Sequence, residues 1–161
     1  MSLTIRPAVP GDAPLVHGFV RELADYEKLL HEVEATEADM NAALFGETPR
    51  VFCDIAEWDG VPAGQALWFY SFSTFSGRHG IYLEDLYVSP AYRGRGIGKA
   101  LLQRLAKRCV DEGLRRLTWE VLDWNAPSIA FYHSIGAVSR NEWISNRLSG
   151  DALQRLASSA P

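Results

Sequence analysis

The chain has 161 residues, 47% of them hydrophobic and 22% charged, with a formal net charge of −4. That is the size and balance of one globular domain, so residues 1–161 read as a single folded unit and a disordered or low-complexity chain is excluded. The longest apolar run, Ala66-Leu67-Trp68-Phe69-Tyr70, is far short of the ~20 residues a membrane-spanning helix needs, so no membrane span is expected. The opening residues, Met1 to Pro7, show neither a basic stretch followed by an apolar core nor a small-residue cleavage site, and cytoplasmic residence is the expectation.

Leu3 to Arg6 reads as a first strand, ended by Pro7 and a turn at Pro10-Gly11. After Asp12, the residues Leu15, Phe19, Leu23, Tyr26 and Leu30 recur every three to four positions, which predicts a helix with one apolar face. A second helix is predicted from Thr36, where Thr36 and Asp39 resemble a capping pair; Met40, Ala43 and Leu44 supply its apolar stripe, and Gly46 and Pro49 break it. Val51 to Trp58 and Gly64 to Phe72 are strand-like and are joined through Asp59-Gly60, a hairpin signal. Ile81 to Val88 is a buried central strand, stopped by Ser89-Pro90. Ile97, Ala100, Leu101, Leu105, Ala106, Cys109 and Val110 mark a long amphipathic helix that Gly113 closes. Leu117 to Leu122 is predicted as another strand. Pro127 opens a short helix that Gly136 ends, Val138 to Leu148 is predicted as a last strand, and a helical turn follows from Asp151.

Charge is unevenly placed along this order. Between Arg21 and Asp39 seven acids face two bases, and between Arg93 and Arg116 eight bases face two acids, so one region favours cations and the other anions. The two cysteines, Cys53 and Cys109, and the four histidines, His17, His31, His79 and His133, show no metal-ligand spacing; neither a disulfide nor a metal site is expected.

The sharpest chemical signal is Arg93-Gly94-Arg95-Gly96-Ile97-Gly98-Lys99, placed between a strand and a helix. Backbone N–H groups and the positive helix end in such a loop hold phosphate. Lys99 stands where a dinucleotide fingerprint needs Gly or Ala, and Arg93 and Ala100 stand where a P-loop needs Gly and Ser or Thr, so both nucleotide motifs are excluded. The stretch resembles the Arg/Gln-x-x-Gly-x-Gly/Ala acetyl-CoA signature of the GNAT N-acetyltransferase superfamily. Leu83-Glu84-Asp85-Leu86-Tyr87-Val88 before it, Trp124 to Tyr132 and Gly136-Ala137 after it, and Arg6-Pro7-Ala8 and Leu23 to Glu27 near the start are similar to the spermidine/spermine (diamine) acetyltransferase branch.

The resemblance implies an α/β acyl-CoA N-acyltransferase fold, a mixed and mostly antiparallel sheet of six or seven strands flanked by helices. It implies acetyl transfer from acetyl-CoA, the co-substrate, to a primary amine by direct attack in a ternary complex. The acceptor is expected to be a small cationic amine such as a polyamine, a diamine or a thialysine-like amino acid. Protein N-terminal or lysine acetylation and a non-catalytic CoA sensor are the alternatives. The backbone of Leu86, Tyr87 and Val88 would bond the pantetheine arm, and the N–H groups of the loop from Arg93 through Gly94, Arg95, Gly96, Ile97 and Gly98 to Lys99 would hold the pyrophosphate. Asn125 would contact the cofactor near its thiol end and Tyr132 would stand by the sulfur. Tyr26 and Glu27, with Glu84 and Asp85, would face the cationic acceptor. The resemblance at the C-terminal segment, with Trp143, Ile144 and Leu148, implies a homodimer, and neither nucleic acid nor membrane is an expected partner.

The chemistry of the step suits those positions. A free alkyl ammonium, with a pKa of ~10.4, must lose a proton before it attacks, and a carboxylate acting through water can take it. Glu84 and Asp85 are expected on opposite faces of their strand, so that one of them lines the acyl site, and Glu84 is favoured. The departing thiolate needs a proton that a phenol is matched to give, which assigns Tyr132 as the general acid.

Overall fold

The computed structural model describes residues 1–159, and these divide into two compact units, Met1–Leu122 and a second from Asp123 on. In the first unit five strands, β1 (Leu3–Pro7), β2 (Phe52–Trp58), β3 (Val61–Ser73), β4 (Arg78–Val88) and β5 (Leu117–Thr118), form one sheet in the order of the sequence. β1 to β4 are antiparallel neighbours and β5 joins β4 in parallel. The sheet is thus mixed and mostly antiparallel, as expected, with five strands among the described residues and not six or seven.

Helices α1 (Ala13–Tyr26) and α2 (Glu37–Phe45) cover one face. Val16 and Leu44 pack there with Cys53, Ile55 and Leu67 in one buried cluster. Thr36 caps α2 with the reciprocal bonds of a capping box, Asp39 taking the acidic role. The hairpin between β2 and β3 turns at Asp59 (φ +48°) and Gly60 (φ +78°), two left-handed residues in succession, the geometry that matches strand twist.

Helix α3 (Ile97–Asp111) covers the other face with Ile97, Leu101, Leu102, Leu105 and Cys109. It is pinned by an ion pair: Arg104 Nε donates to Asp54 at 2.7 Å, and Trp68 Nε1 donates to the same carboxylate at 3.0 Å. Asp54 is 2% exposed, so Arg104→Ala strands a buried charge. Loss of one partner of such a pair costs ~3–5 kcal/mol, and with Arg104 itself a third exposed we expect the lower end, about 3 kcal/mol. Thermal unfolding should show Tm falling by roughly 6–12 °C for a chain of this size; an unchanged Tm would mean that Asp54 is satisfied by Trp68 alone.

One irregularity matters for the site. β3 and β4 pair with a register shift: Trp68 opposes Leu83, Leu67 opposes Asp85, and Glu84 is the extra residue of a β-bulge. Cross-strand partners share a face, so Leu83 lies on the α3 side with Trp68, and Asp85 lies on the α1 side with Leu67. The simple alternation expected of Glu84 and Asp85 is interrupted at that point. Farther along, Gly64 opposes Val88, and a Cβ on Gly64 would stand 2.4 Å from the Tyr87 carbonyl oxygen, so only glycine permits this approach of β3 to β4.

The predicted strand 117–122 shortens to Leu117–Thr118, and β5 opposes only Ile81 and Tyr82 of β4. In the second unit α4 (Ala126–Ser134) and α5 (Gly150–Ser158) are helical. Residues 138–148, predicted as a strand, form none: Val138, Trp143, Ile144 and Leu148 are exposed at 80%, 68%, 83% and 46%. Their apolar pattern buries no face within this unit, and a strand without a buried face or a paired neighbour gains too little to order its backbone.

Candidate active site

The glycine loop begins where β4 ends. A 3-10 turn at Pro90–Tyr92 leads to Arg93, and Gly94 (φ +74°) and Gly96 (φ +80°) adopt left-handed backbone that other residues resist. Gly96 is the N-cap of α3 and offers no side chain; the first intrahelical bond runs from Ala100 N to the Gly96 carbonyl at 2.9 Å. The preceding N–H groups of Ile97, Gly98 and Lys99 therefore have no acceptor within the helix. A Cβ built at Gly94 or Gly96 would meet nothing within 4 Å, so the space in front of these residues is open. An open cradle of N–H groups at a helix N-terminus is an anion site.

Both flanking arginines lie on aromatic rings. The Arg95 guanidinium sits 5.2 Å from the Trp58 ring and 5.6 Å from the Tyr92 ring. Arg93 lies 4.8 Å from the Tyr26 ring and 6.0 Å from the Tyr87 ring, and its Nε donates to the Val88 carbonyl at 2.9 Å. These partners are separated by up to 67 residues in the chain and were invisible to sequence spacing.

Leu86, Tyr87 and Val88 form the end of β4 that β5 does not reach. The Tyr87 side chain is buried and donates through its hydroxyl to Glu22 of α1 at 2.6 Å. Burial and that carboxylate push its phenol up to about 12. The ring is thereby committed to packing, which leaves the backbone of this segment to serve a ligand. Glu22 was not singled out from the sequence, since nothing local marks it among seven acids.

Beside this strand one carboxyl, Asp85, feels the charges of two others. Asp85, half-buried, is pushed up to about 6, first by burial and then by the charges of Glu84 and Glu27. Glu27, the C-cap of α1, is raised by burial. Glu84 is exposed at the bulge. Carboxylates held above their ordinary range by burial and like charge attract a cation, and one titrating near 6 exchanges protons readily at neutral pH. Tyr26, the last residue of α1, is 40% exposed. Among the described residues no group of three or more His, Cys, Asp or Glu could hold a metal ion, and no helix is long and apolar enough to cross a membrane.

Asn125 and Tyr132 belong to the second unit. Asn125 is buried and caps α4, its side-chain oxygen accepting from Ser128 N at 3.4 Å, with Pro127 in the first turn. Tyr132 is half-buried on the same helix with its ring 5.4 Å from that of Phe131, and Gly136 (φ +92°) follows the helix end.

Comparison with known proteins agrees with this geometry. A model of the acetyltransferase (GNAT) family matches residues 18–137. Thialysine N-epsilon-acetyltransferase of Bos taurus is 40% identical over 95% of this chain and 96% of its own. An L-ornithine N5-acetyltransferase of Arabidopsis thaliana is 32% identical over 94% of this chain and 86% of its own. An integron cassette protein of V. cholerae has a similar structure, with a TM-score of 0.81 and 30% identity over 99% of each chain.

Proposed function

This chain belongs to the GNAT acetyltransferase family, and we propose that it acetylates small cationic amines and that its residues carry the reaction as follows. The observation that carries the reading is the pairing of an open N–H cradle at Gly94 to Lys99 with an acidic cluster of Glu27, Glu84 and Asp85 in one unit. An anionic cofactor and a cationic acceptor each find a matched charge.

Acetyl-CoA, the co-substrate, supplies an activated acetyl thioester when bound. The backbone N–H groups from Arg95 to Lys99 hold its pyrophosphate, helped by the positive end of α3 and by the flanking Arg93, Gly94 and Lys99. The free edge of β4 at Leu86, Tyr87 and Val88 pairs with the pantetheine arm as an added strand would. Gly96→Asp places a carboxylate at the strained N-cap, in the space the phosphate needs. Calorimetry should then show CoA affinity falling by at least about tenfold in a protein that remains folded; wild-type affinity would move the cradle elsewhere.

The acceptor ammonium is drawn to Glu27 and Asp85, with the ring of Tyr26 at the same end of α1. Glu84, exposed at its bulge, takes one proton from the ammonium through water, with Asp85 as a second carboxylate beside it. The neutral nitrogen attacks the thioester carbonyl carbon, the C–S bond breaks as the C–N bond is made, and the second proton that the nitrogen releases restores the Tyr132 phenol through water. Tyr132 gives its hydroxyl proton to the departing sulfur, and Asn125 orients the thiol end of the cofactor. The diamine preference, a single domain across residues 1–161, a homodimer using Trp143, Ile144 and Leu148, and a cytoplasmic location complete the reading. The domain assignment is supported by a family match that runs through the boundary between the two units.

Charge reversal tests the acceptor assignment. Glu27→Lys should raise KM for a diamine by about tenfold or more while KM for a neutral monoamine changes little, because a unit charge a few ångströms from an ammonium contributes on the order of 1–4 kcal/mol at a protein surface. Salt should weaken diamine binding in the wild type more than in the variant. Equal changes for charged and neutral acceptors would remove Glu27 from recognition.

A further inference from the structure

Phe19, Glu22 and Tyr26 lie at i, i+3 and i+7 on α1, one face of the helix, and each meets one of two residues, Tyr87 at the end of β4 or Arg93 at the start of the loop. Phe19 and Glu22 hold Tyr87, with ring centroids 5.6 Å apart and a hydroxyl-to-carboxylate bond of 2.6 Å. Tyr26 is held by Arg93, whose guanidinium also reaches the Tyr87 ring and whose Nε bonds the Val88 carbonyl. The first two contacts anchor the middle of α1 to the core. The third joins its last residue, next to Glu27, to the first residue of the glycine stretch.

We infer that Arg93 is a positioning residue that ties the C-terminal end of α1 to the cofactor loop, so that occupancy of the loop by the anionic cofactor orders Tyr26 and Glu27 for the cationic acceptor. The inference rests on the reading of the loop as the CoA site and of Glu27 as acceptor recognition, and it adds the link between them. Its physical basis is that a planar guanidinium serves two purposes at once: it stacks on a ring through its face and donates through its edge. The Nε is committed to the Val88 carbonyl at the root of the loop, and the Cζ lies over the Tyr26 ring. A shift of the loop upon phosphate binding is therefore transmitted to the last turn of α1 through one rigid group. Lysine at this position keeps the charge and loses the bridge, because an ammonium has no plane to stack with and no second fixed donor. The coupling is reciprocal by thermodynamic necessity, and coupling of this kind is commonly worth ~5–150-fold in affinity.

The test uses CoA itself as the probe and hydrogen exchange of the intact chain as the readout, which needs no acceptor. In the wild type, saturating CoA should slow exchange of the peptide covering residues 23–30 by about fivefold or more, the low end of such coupling. At CoA concentrations that saturate each protein, Arg93→Lys should lose the protection at 23–30 while retaining it at 94–100. Tyr26→Phe, which keeps the ring, should preserve the effect, and Tyr26→Leu should abolish it. With acetyl-CoA saturating each protein, Arg93→Lys should raise KM for a diamine about fivefold more than KM for a neutral monoamine, a split that a general loss of folding would not produce. Equal protection of residues 23–30 by CoA in the wild type and in Arg93→Lys would overturn the inference while leaving the CoA site intact. A wild type that does not bind CoA would overturn the reading of the loop and this inference with it.

Discussion

Tyr132→Phe is expected to leave CoA affinity as in the wild type while kcat falls by ~10²–10⁴-fold, the usual worth of a positioned general acid. Proton balance sets this effect. The attacking nitrogen loses protons to carboxylate and water, and the sulfur must leave either as a thiolate or with a proton supplied to it. A phenol titrates near ~10 and a thiol near ~8.5, so transfer between them is close to balanced in the transition state and gains little from any other side chain on α4. Phenylalanine keeps the ring beside Phe131 and removes only the hydroxyl. Binding of CoA by calorimetry, with single-turnover kinetics to isolate the chemical step, measures the two effects separately. Unchanged kcat with chemistry limiting would make Tyr132 a packing residue of α4.

Asp85→Asn is expected to make the protein more stable and less active. The Asp85 carboxyl is pushed up to about 6 in the folded chain by burial and by Glu84 and Glu27, so it holds its proton more tightly folded than unfolded. Its contribution therefore favours folding at low pH, is lost as pH rises from about 4 to about 6, and above that leaves a buried charge costing at most about 3 kcal/mol. Asparagine removes the charge. Urea unfolding at pH 7.5 should show higher stability than the wild type, and the two proteins should converge near pH 4. Meanwhile kcat/KM should fall by ~10²-fold or more, and the rise of activity with pH through about 6 should disappear. A variant that keeps that limb would leave Glu84 as the sole base. One that is destabilised at neutral pH would mean the carboxylate is stabilised by a bond outside the acidic cluster.

The elements legible from the sequence were those whose signals are local. Asp59-Gly60 turned the hairpin because two adjacent left-handed residues are a property of a dipeptide. Thr36 and Asp39 capped α2 because both bonds close within four residues. The Arg93 to Lys99 loop was legible because its glycine spacing and its setting between strand and helix are written consecutively. What escaped was set by pairing across the sheet. The bulge at Glu84 exists because β3 and β4 slip by one residue between Leu67 and Trp68, and neither strand's own pattern announces it. That slip turns Asp85 toward the α1 side, where it is half-buried and its carboxyl raised, and leaves Glu84 exposed. The stretch 138–148 failed as a strand for the opposite reason: its apolar residues are spaced acceptably, yet within its unit they have nothing to pack on. Contacts over long separations, Arg93 on Tyr26 and Tyr87 on Glu22, became visible only in the fold.

Acetyl transfer from acetyl-CoA to a small cationic amine is the reaction proposed for this chain. It is tested most directly by a panel of acceptors at fixed acetyl-CoA, reading free thiol release and confirming the acetylated product by mass. The panel should contain thialysine, ornithine, lysine, diamines and spermidine, set against neutral monoamines, acidic amines and peptides with free N-termini. The account requires the highest kcat/KM among the small dications and basic amino acids, with neutral and acidic amines far behind. A preference for peptide N-termini or for uncharged amines, or binding of CoA without turnover on any member of the panel, would contradict it.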